Sequence, residues 1–463
     1  MLSLLPLLLA LVQAPVVASV QLDEAPSDLR LYPRDASGFG TVVVRGSVTG
    51  GDWDEIVMEL TGEDGVATVA RQPLPRLPAG SPIPFALTLP IRAICVDHQA
   101  LLLLRAGTRV LVAGSWEGLV SGDVYLCQGQ SNMVAADYWS EHLANAFQQN
   151  SIRSWGSAST VPSEVLADLS WHVADGESAN GPGSVGAWAL RMAYVLVART
   201  GVPIGLMNGA VGGTWIAQHA RNDSNPEDLN TIYGRLLWRS RQAGVAGAAQ
   251  GLLWYQGESD GANAGPYLPA FTDLHDDWLQ DFPGLEHIYV VQVRWGCGSP
   301  SLELRDLMRR LGDLLTKVTP CTANGLPDHD GCHFRYGGYK ALGNNMALLL
   351  GRDFYGSRLT RDVEAPNVLS AAWASPNHRE IVITFRQTND RIMAGAGAEL
   401  DIKLPPGDVI TALIPAGNTL RIVLAAPSTA LEIGYGTHGA VQRGWITNAR
   451  GIAALSFEKI PIQ

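Results

Sequence analysis

The spacing of apolar residues changes twice along the chain, and each change predicts a different kind of structure. Over residues 23–118, short apolar runs are separated by Gly, Pro and Asp turns and show no helical period. This pattern is typical of short antiparallel strands. We predict an N-terminal β-rich domain, a small sandwich, with strands at 41–44, 56–60, 85–89, 101–104 and 109–113.

Over residues 119–358, short apolar runs alternate with amphipathic stretches of helix length. Such alternation predicts an α/β domain with a parallel sheet and helices on both faces, and sites in such sheets form at the carboxyl ends of the strands. The acidic stretch 273–281 keeps apolar residues at helical spacing, so we interpret it as the solvated face of a helix. The predicted strands are 124–126, 204–207, 252–254 and 287–293, and the predicted helices are 187–198, 231–243 and 302–315.

From about residue 362 the strand pattern returns and continues to the end of the chain at 463. Prolines interrupt it repeatedly, which suits a turn-rich antiparallel structure. We predict a C-terminal β-sandwich-like domain over 362–463. Its strands are expected at 380–385, 398–403, 409–413, 419–424 and 430–433.

The pattern of the first residues indicates a targeting segment. Residues 2–12 are almost wholly apolar, and small residues follow at Ala14, Ala18 and Ser19. A membrane span needs about 20 apolar residues, so we predict a signal peptide over 1–19 and a secreted or periplasmic protein. No Lys or Arg precedes the apolar run, which leaves an N-terminal anchor or a misassigned start as alternatives. We predict no membrane span in the mature chain.

Composition narrows the class further. Hydrophobic residues make up 46% and charged residues 17% of the 463 positions, an ordinary globular balance. The net charge of −11 disfavours nucleic acid as a partner, because binding it requires neutralising phosphates. The five cysteines lack zinc spacing. We expect Cys127 in the core, and either one or two disulfides, most readily among Cys297, Cys321 and Cys332, or buried free thiols.

A serine follows the first predicted strand of the middle region. The run Gly-Gln-Ser-Asn-Met at 129–133 places Ser131 in a tight turn. A hydroxyl at the end of a parallel strand stands clear of the backbone and can attack a carbonyl carbon. Taken alone, the turn would suit a helix cap equally well.

Two more loops, each after a predicted strand, could donate hydrogen bonds to an oxyanion. Gly212 and Gly213 are adjacent, which lets a backbone N–H approach a ligand closely; the alternative is a plain flexible turn. Gln256 could offer its side-chain amide to developing negative charge. Glu258 could orient a catalytic group, or simply hold its own loop through backbone N–H groups.

An Asp and a His three residues apart, Asp330 and His333, precede a predicted helix at 339–350. An Asp at this offset can reach the far ring nitrogen of the His and stabilise the imidazolium, leaving the other nitrogen to take a serine proton. His329 is a rival base, but it lacks an Asp at the matching offset. An Asp and a His could also bind zinc, yet no third ligand has metal spacing, so we predict no metal.

Together, the segments 129–133, 212–214, 254–258 and 330–333 resemble the motifs of the SGNH/GDSL-like hydrolase superfamily. Within it, they resemble the sialate O-acetylesterase family and related carbohydrate acetylesterases. The resemblance spans about residues 118–355, and the flanking β-rich segments are similar to those of longer members. It implies a three-layer α/β/α core and a serine esterase without a cofactor.

The resemblance also implies roles for individual residues. Ser131 would be the nucleophile, His333 the general base and Asp330 the residue that orients it. The oxyanion hole would consist of the Ser131 N–H, an N–H at Gly212 or Gly213, and the Gln256 side chain. The wider superfamily usually has Asn where this chain has Gln256, and the sequence is similar to the branches with Gln.

The expected substrate is an O-acetylated sugar, and three hypotheses about the function stay open. The resemblance favours O-acetylated sialic acid; the same chemistry could act on an acetylated plant polysaccharide of the acetyl-xylan type. The chain could also be a non-catalytic, secreted carbohydrate-binding protein. Arg294 and Arg335 are candidates for binding a sialate carboxylate, or they pair with the protein's own carboxylates. Trp215, Tyr255 and Trp295 either stack on sugar rings or pack in the core.

Overall fold

The computed structural model describes residues 19–76, 80–261, 264–298, 301–436 and 444–463. Residues 1–18, which make up nearly all of the predicted signal peptide, lie outside the described residues. The chain divides into two compact units, one comprising Met1–Arg92 with Val96–Val120 and the other Ala93–Cys95 with Ser121–Gln463. In the described part of the chain, no helix is both long and apolar enough to cross a membrane.

The first unit is all β, as the N-terminal pattern predicts. One sheet has the order β1-β3-β6, and a second joins β5, β4, β7 and the first part of β8, to which β2 also pairs. Buried and exposed residues alternate along β3 and β6, so each strand sends one face into a shared apolar core. The strands are β1 (Ser19–Glu24), β2 (Leu31–Pro33), β3 (Phe39–Thr49), β4 (Glu55–Gly62), β5 (Ala67–Pro73), β6 (Ile83–Arg92), β7 (His98–Ala106) and β8 (Arg109–Gly129).

The second unit is built around a mostly parallel sheet. Its strand order is β10-β9-β11-β8-β12-β13-β14, and every neighbouring pair is parallel except β10 with β9. The inner strands β11 and β12 are buried almost throughout, which accounts for their continuous apolar runs. The strands added here are β9 (Ile152–Trp155), β10 (Trp171–Val173), β11 (Ile204–Asn208), β12 (Ala249–Tyr255), β13 (His287–Gln292) and β14 (Val318–Thr322).

Helices follow the strands of this sheet and confirm the predicted α/β class. Two begin at a capping side chain: the Thr231 hydroxyl accepts the N–H of Gly234, and the Ser301 hydroxyl accepts the N–H of Leu304. The helices are α1 (Ser131–Val134), α2 (Pro162–Ala167), α3 (Ala187–Thr200), α4 (Ile232–Gln242), α5 (Tyr267–Asp281), α6 (Leu302–Leu314) and α7 (Tyr336–Tyr355). The acidic stretch 273–281 lies in α5, as predicted.

The C-terminal strands form three antiparallel sheets, ordered β15-β16-β20-β19, β17-β22 and β18-β21-β23. Their apolar faces make a core of their own. They belong to the same compact unit as the parallel sheet, and the proposed boundary between 358 and 362 stays a prediction. The strands are β15 (Val368–Trp373), β16 (Glu380–Phe385), β17 (Ile392–Ala394), β18 (Ile402–Lys403), β19 (Ile410–Ala416), β20 (Thr419–Leu424), β21 (Glu432–Tyr435), β22 (Ile446–Asn448) and β23 (Phe457–Pro461).

Local details differ from the sequence expectation. The predicted strand at 398–403 begins as a 3-10 turn, Ala398–Asp401, and only Ile402–Lys403 is extended. β8 continues through residues 114–123, where the pattern suggested a break between two strands. Strands β9, β10 and β14 were not predicted, because they are short and polar residues or a proline interrupt their apolar runs.

Candidate active site

Ser131 lies at the carboxyl end of the central strand of the parallel sheet. β8 ends at Gly129, and Ser131 is the first residue of α1. Gly129 has φ +149°, and a Cβ at this position would lie 2.1 Å from the carbonyl oxygen of Tyr255. A glycine therefore lets the turn before Ser131 pass close to the end of β12. The side chain of Ser131 stays partly exposed.

His333 reaches Ser131 from a loop before α7. Its Nε2 lies 2.9 Å from the Oγ of Ser131, across a sequence separation of 202 residues. This is hydrogen-bond distance for a hydroxyl donating to a neutral ring. Burial lowers the pKa of His333 below its ordinary value, while the charge of Asp330 acts in the opposite direction. The ring is therefore neutral at pH 7, the form that can accept a proton.

Asp330 lies on the same turn as His333. Its Oδ1 accepts the N–H of Cys332 at 2.7 Å and the N–H of His333 at 2.8 Å. Burial acts to raise the pKa of Asp330, but these N–H groups and the proximity of His333 lower it below its ordinary value. The predicted hydrogen bond from Asp330 to the far ring nitrogen of His333 is therefore wrong for this structure. In the residues that the structure describes, the hydrogen bonds of this carboxylate go to the backbone of the turn, because the turn places those N–H groups closer than the ring. Asp330 acts on the His333 ring through its charge.

Tyr138 covers the pair of Ser131 and His333. Its ring centroid lies 4.8 Å from that of His333, and its hydroxyl donates to the Ser131 carbonyl at 3.0 Å. The Tyr138 side chain remains 41% exposed, so it is accessible from solvent as well as packed on the site. No pattern in the sequence singled out this residue, because it lies in a loop outside the four motifs.

The glycine loop, residues 209–215, follows β11 and lies against Ser131. A Cβ added to Gly212 would lie 3.6 Å from the Cβ of Ser131. A Cβ added to Gly213, which has φ +73°, would meet nothing within 4 Å. Of the two glycines, Gly212 is thus the one whose backbone is packed beside Ser131.

The side-chain amide nitrogen of Gln256 already donates hydrogen bonds to other groups of the protein. Its Nε2 donates to the Thr214 carbonyl at 3.0 Å and to Oε1 of Gln130 at 3.3 Å, and it also bonds the Asp260 carboxylate. The residue is fully buried, and its Oε1 is without a hydrogen-bond partner among the described residues. An amide nitrogen has two hydrogens, so Gln256 could serve an oxyanion only by releasing one of these acceptors.

Glu258 contacts the nucleophile motif through Asn132. Its Oε1 accepts Nδ2 of Asn132 at 2.7 Å, and the same nitrogen lies 3.2 Å from the Cys332 carbonyl. The Tyr339 hydroxyl donates to Asn132 Oδ1 at 3.0 Å. Burial raises the pKa of Glu258 to about 7. These contacts are those of a residue that orients other groups of the site, since Glu258 holds Asn132 between the Ser131 and His333 loops.

The His333 loop has two further attachments, both to the segment after β13. Arg294 donates through Nη1 to the Gly331 carbonyl, and its Nη2 lies 3.2 Å from Nε2 of His329. Cys297 forms a disulfide with Cys332. His329, the rival base, thus contacts Arg294, whereas His333 contacts Ser131. Cys127 and Cys321 are buried free thiols, and Cys95 is an exposed one.

The aromatic and arginine residues proposed to contact a sugar differ in their exposure and in their partners. Trp215, on the glycine loop, is 57% exposed, whereas Tyr255 is fully buried, which excludes it as a sugar platform. The guanidinium of Arg305 lies 5.2 Å from the Trp295 ring. Arg335 lies 3.8 Å from Glu141, with an exposed side chain.

A group of three residues beyond α1 has the chemistry of cation ligands. Asp137, His142 and Glu177 each offer a ligand atom, and these atoms lie within 4.8 Å of one another. Asp137 already accepts backbone N–H groups from Trp139, Glu141 and His142, and Glu177 accepts that of Asn145. These hydrogen bonds hold the loop together, so the cluster is explained without a bound ion.

Comparisons with known proteins show a family match and a similar fold. Residues 121–350 match the family model described as carbohydrate esterase, sialic acid-specific acetylesterase. The chain is similar in fold to a carbohydrate acetylesterase from Xanthomonas citri, with TM-score 0.62 and 18% identity, covering 95% of this chain and 99% of that one. A protein from Arabidopsis thaliana has 24% identity and TM-score 0.40, covering 50% of this chain and 99% of that one. No curated protein sequence matches the chain.

The family match covers the whole segment that holds the four motifs. The Xanthomonas citri structure extends the fold agreement over nearly the full chain, including the β-rich flanks. The described structure fits this family. Its sheet is mostly parallel, helices follow the strands, and Ser131 contacts His333 at the strand ends. This chain therefore belongs, through residues 121–350, to the carbohydrate esterase family described as sialic acid-specific acetylesterases, and its class of activity is that of an esterase.

Proposed function

We propose that this chain is a serine esterase that removes O-acetyl groups from carbohydrates. The observation that carries the proposal is the 2.9 Å contact between Ser131 Oγ and His333 Nε2. A hydroxyl bonded to a neutral imidazole, with a carboxylate beside the ring, is the arrangement that activates serine for acyl transfer. The partial exposure of Ser131 leaves its hydroxyl accessible to a substrate.

The reaction proceeds in two acyl transfers. In the first, Ser131 Oγ attacks the acetyl carbonyl carbon while His333 takes its proton, and Asp330 stabilises the resulting imidazolium. The bond to the sugar oxygen then breaks, and His333 returns the proton to that oxygen. In the second, water attacks the acetyl-enzyme with His333 again as base, releasing acetate and regenerating the Ser131 hydroxyl.

The tetrahedral intermediate carries negative charge on the former carbonyl oxygen. Backbone N–H donors at Ser131 and Gly212 are the candidates to stabilise it, because Gly212 packs against Ser131. Gln256 is a third candidate donor, and it would have to release one of its present acceptors to act. Gly213 remains an alternative to Gly212.

We propose O-acetylated sialic acid as the first substrate to test, since the matched family model carries that description. An exposed Trp215 beside the glycine loop could stack on a sugar ring. Arg335 could bind the sialate carboxylate if it left Glu141, from which it is separated by 3.8 Å.

A neutral acetylated polysaccharide is the second candidate substrate. The observation that favours it concerns Arg294, which is 5% exposed and bonded to the Gly331 carbonyl, so it has no free face for a substrate carboxylate. A neutral sugar needs no such cation.

We also propose that the protein is secreted or periplasmic. This part of the proposal rests on the apolar segment at the start of the sequence.

Acetate release from O-acetyl sialic acid and from acetyl-xylan, measured side by side, tests the proposal. Ser131→Ala serves as the blank, and we expect it to lose nearly all activity on either substrate. Near-wild-type acetate release by Ser131→Ala would refute the assignment of Ser131. A folded wild-type chain that binds these sugars without releasing acetate would instead support the non-catalytic alternative.

A further inference from the structure

Asp260 is not among the groups that the proposed reaction requires, yet it joins two loops around Ser131. It is the last residue of the 3-10 turn Glu258–Asp260, which follows β12. Its Oδ2 and Oδ1 lie 3.1 and 3.2 Å from the backbone nitrogen of Ile216. The same carboxylate accepts a hydrogen bond from Nε2 of Gln256. One side chain thus ties the glycine loop to the loop that holds Gln256.

The Gln256 amide extends this tie to the nucleophile motif. Its Nε2 also contacts the Thr214 carbonyl at 3.0 Å, two residues beyond Gly212, and Oε1 of Gln130 at 3.3 Å. Gln130 is the residue before Ser131 and is 2% exposed. Three loops that are distant in sequence are therefore connected by a single network of hydrogen bonds, in which Asp260 is the charged and partly exposed member.

We propose that Asp260 is a positioning residue that holds the glycine loop, and with it the Gly212 N–H, in place beside Ser131. This inference rests on the proposed function, because it assigns a role within the same site. An oxyanion donor is effective only at hydrogen-bond distance from the developing charge, and a displacement of about 1 Å can cost on the order of 10² in rate. A carboxylate suits this task because it accepts N–H groups from two directions.

Two substitutions at Asp260 test the proposal. Asp260→Asn keeps an oxygen that can accept the Ile216 N–H, whereas Asp260→Ala removes both contacts. With 4-nitrophenyl acetate as substrate, we expect Asp260→Ala to lower kcat on the order of 10–10²-fold with KM changed less than about threefold. We expect Asp260→Asn to restore most of that kcat.

A second pair of variants removes the same hydrogen bond from the other side. Ile216 is the first residue of a 3-10 turn, and Trp215 before it is extended, with φ −87° and ψ 163°. A proline is tolerated at such a position and after such a residue, so Ile216→Pro deletes the N–H without requiring a new backbone conformation. Ile216→Ala is the matched control, since Ile216 is 2% exposed and both variants lose its packing.

We expect Ile216→Pro to lower kcat well below that of Ile216→Ala, with melting temperatures of the two variants close together. Equal kcat values for this pair, or a wild-type kcat in Asp260→Ala, would overturn the inference. So would an Asp260→Asn as slow as Asp260→Ala when both melt normally. A fully active Ser131→Ala in the same assay would refute the proposed function itself, which is a distinguishable result.

Discussion

At the scale of single residues, burial determines which protonation states the site holds. His333 is half-buried, and burial favours its neutral form, whereas Asp330 is kept ionised by the backbone N–H groups of its turn. Both pKa values are shifted downward, which leaves a neutral base beside a charged partner. That is the combination a serine nucleophile requires.

The pH dependence of the rate follows from these shifts. Because burial lowers the pKa of His333, we expect kcat/KM to stay high as the pH falls to the ordinary histidine value of about 6.5, and to decline only below it. In Asp330→Asn, the charge that opposes the lowering is gone, so the acid limb should move to still lower pH. The rate should also fall on the order of 10-fold, because the imidazolium loses a nearby opposite charge but no direct hydrogen bond.

Profiles of kcat/KM against pH for the wild type and Asp330→Asn check this prediction. The Asn side chain keeps an oxygen for the N–H groups of Cys332 and His333, so the turn itself is preserved. An acid limb that moves upward in the variant would contradict the electrostatic role of Asp330.

At this scale, the sequence pointed to residues that the structure brings together, while their catalytic roles stay predictions. Ser131 and His333 are in contact, as the resemblance implied. The sequence left Tyr255 open between stacking on a sugar and packing in the core, because an aromatic residue next to a motif loop looks the same in sequence in either case. Tyr255 is fully buried in β12, which decides for the core. The role of Gln256 as an oxyanion donor stays a prediction.

At the scale of elements, the site is a set of loops at the carboxyl ends of parallel strands, held together by side chains. The disulfide between Cys297 and Cys332 joins the segment after β13 to the loop before α7. His333 is the next residue after this bridge. The bridge therefore limits the movement of the turn that carries His333.

We expect the double variant Cys297→Ser, Cys332→Ser to lose both stability and rate. Closing a loop of 35 residues contributes about 3–4 kcal/mol to the free energy of unfolding. The kcat on an acetyl ester should drop as well, since the His333 turn gains freedom. Thermal melting and kinetics with and without dithiothreitol measure both effects.

Cys95→Ser is the matched control, because Cys95 is an exposed free thiol. It should leave the melting temperature and kcat close to those of the wild type. If dithiothreitol left the wild-type kcat unchanged after the bridge was shown to be reduced, the disulfide would have no part in positioning His333.

At the scale of the whole molecule, the parallel sheet and the C-terminal strands share buried polar contacts within one compact unit. Arg305 of α6 is fully buried, and its Nη1 donates to the Gly436 carbonyl and to Ser456 Oγ, the latter at 2.9 Å. Gln292 of β13 donates to the Ser456 carbonyl at 2.9 Å. These contacts predict that the segment from Ser121 to Gln463 unfolds as one cooperative unit.

Arg305→Met tests that cooperativity. Removing the guanidinium leaves the Gly436 carbonyl without its donor, while Ser456 Oγ keeps only the Asn324 amide at 3.1 Å. The free energy of unfolding should therefore fall by about 1–3 kcal/mol. Arg310→Met on the same helix is the control: its side chain is 45% exposed, and the expected loss is under about 1 kcal/mol. Two separate calorimetric transitions within residues 121–463 would argue against a shared unit.

The sequence by itself determined most of the element types, the parallel sheet of the middle region and the candidates Ser131, Asp330 and His333. Apolar periodicity and turn chemistry are local properties, readable over a few residues. Only the tertiary structure decided which cysteines pair, which glycine lies beside Ser131, and that Tyr138 and Asp260 contact the site. Those outcomes depend on distances between segments that are far apart in sequence, and such distances follow from how strands stack and loops pack.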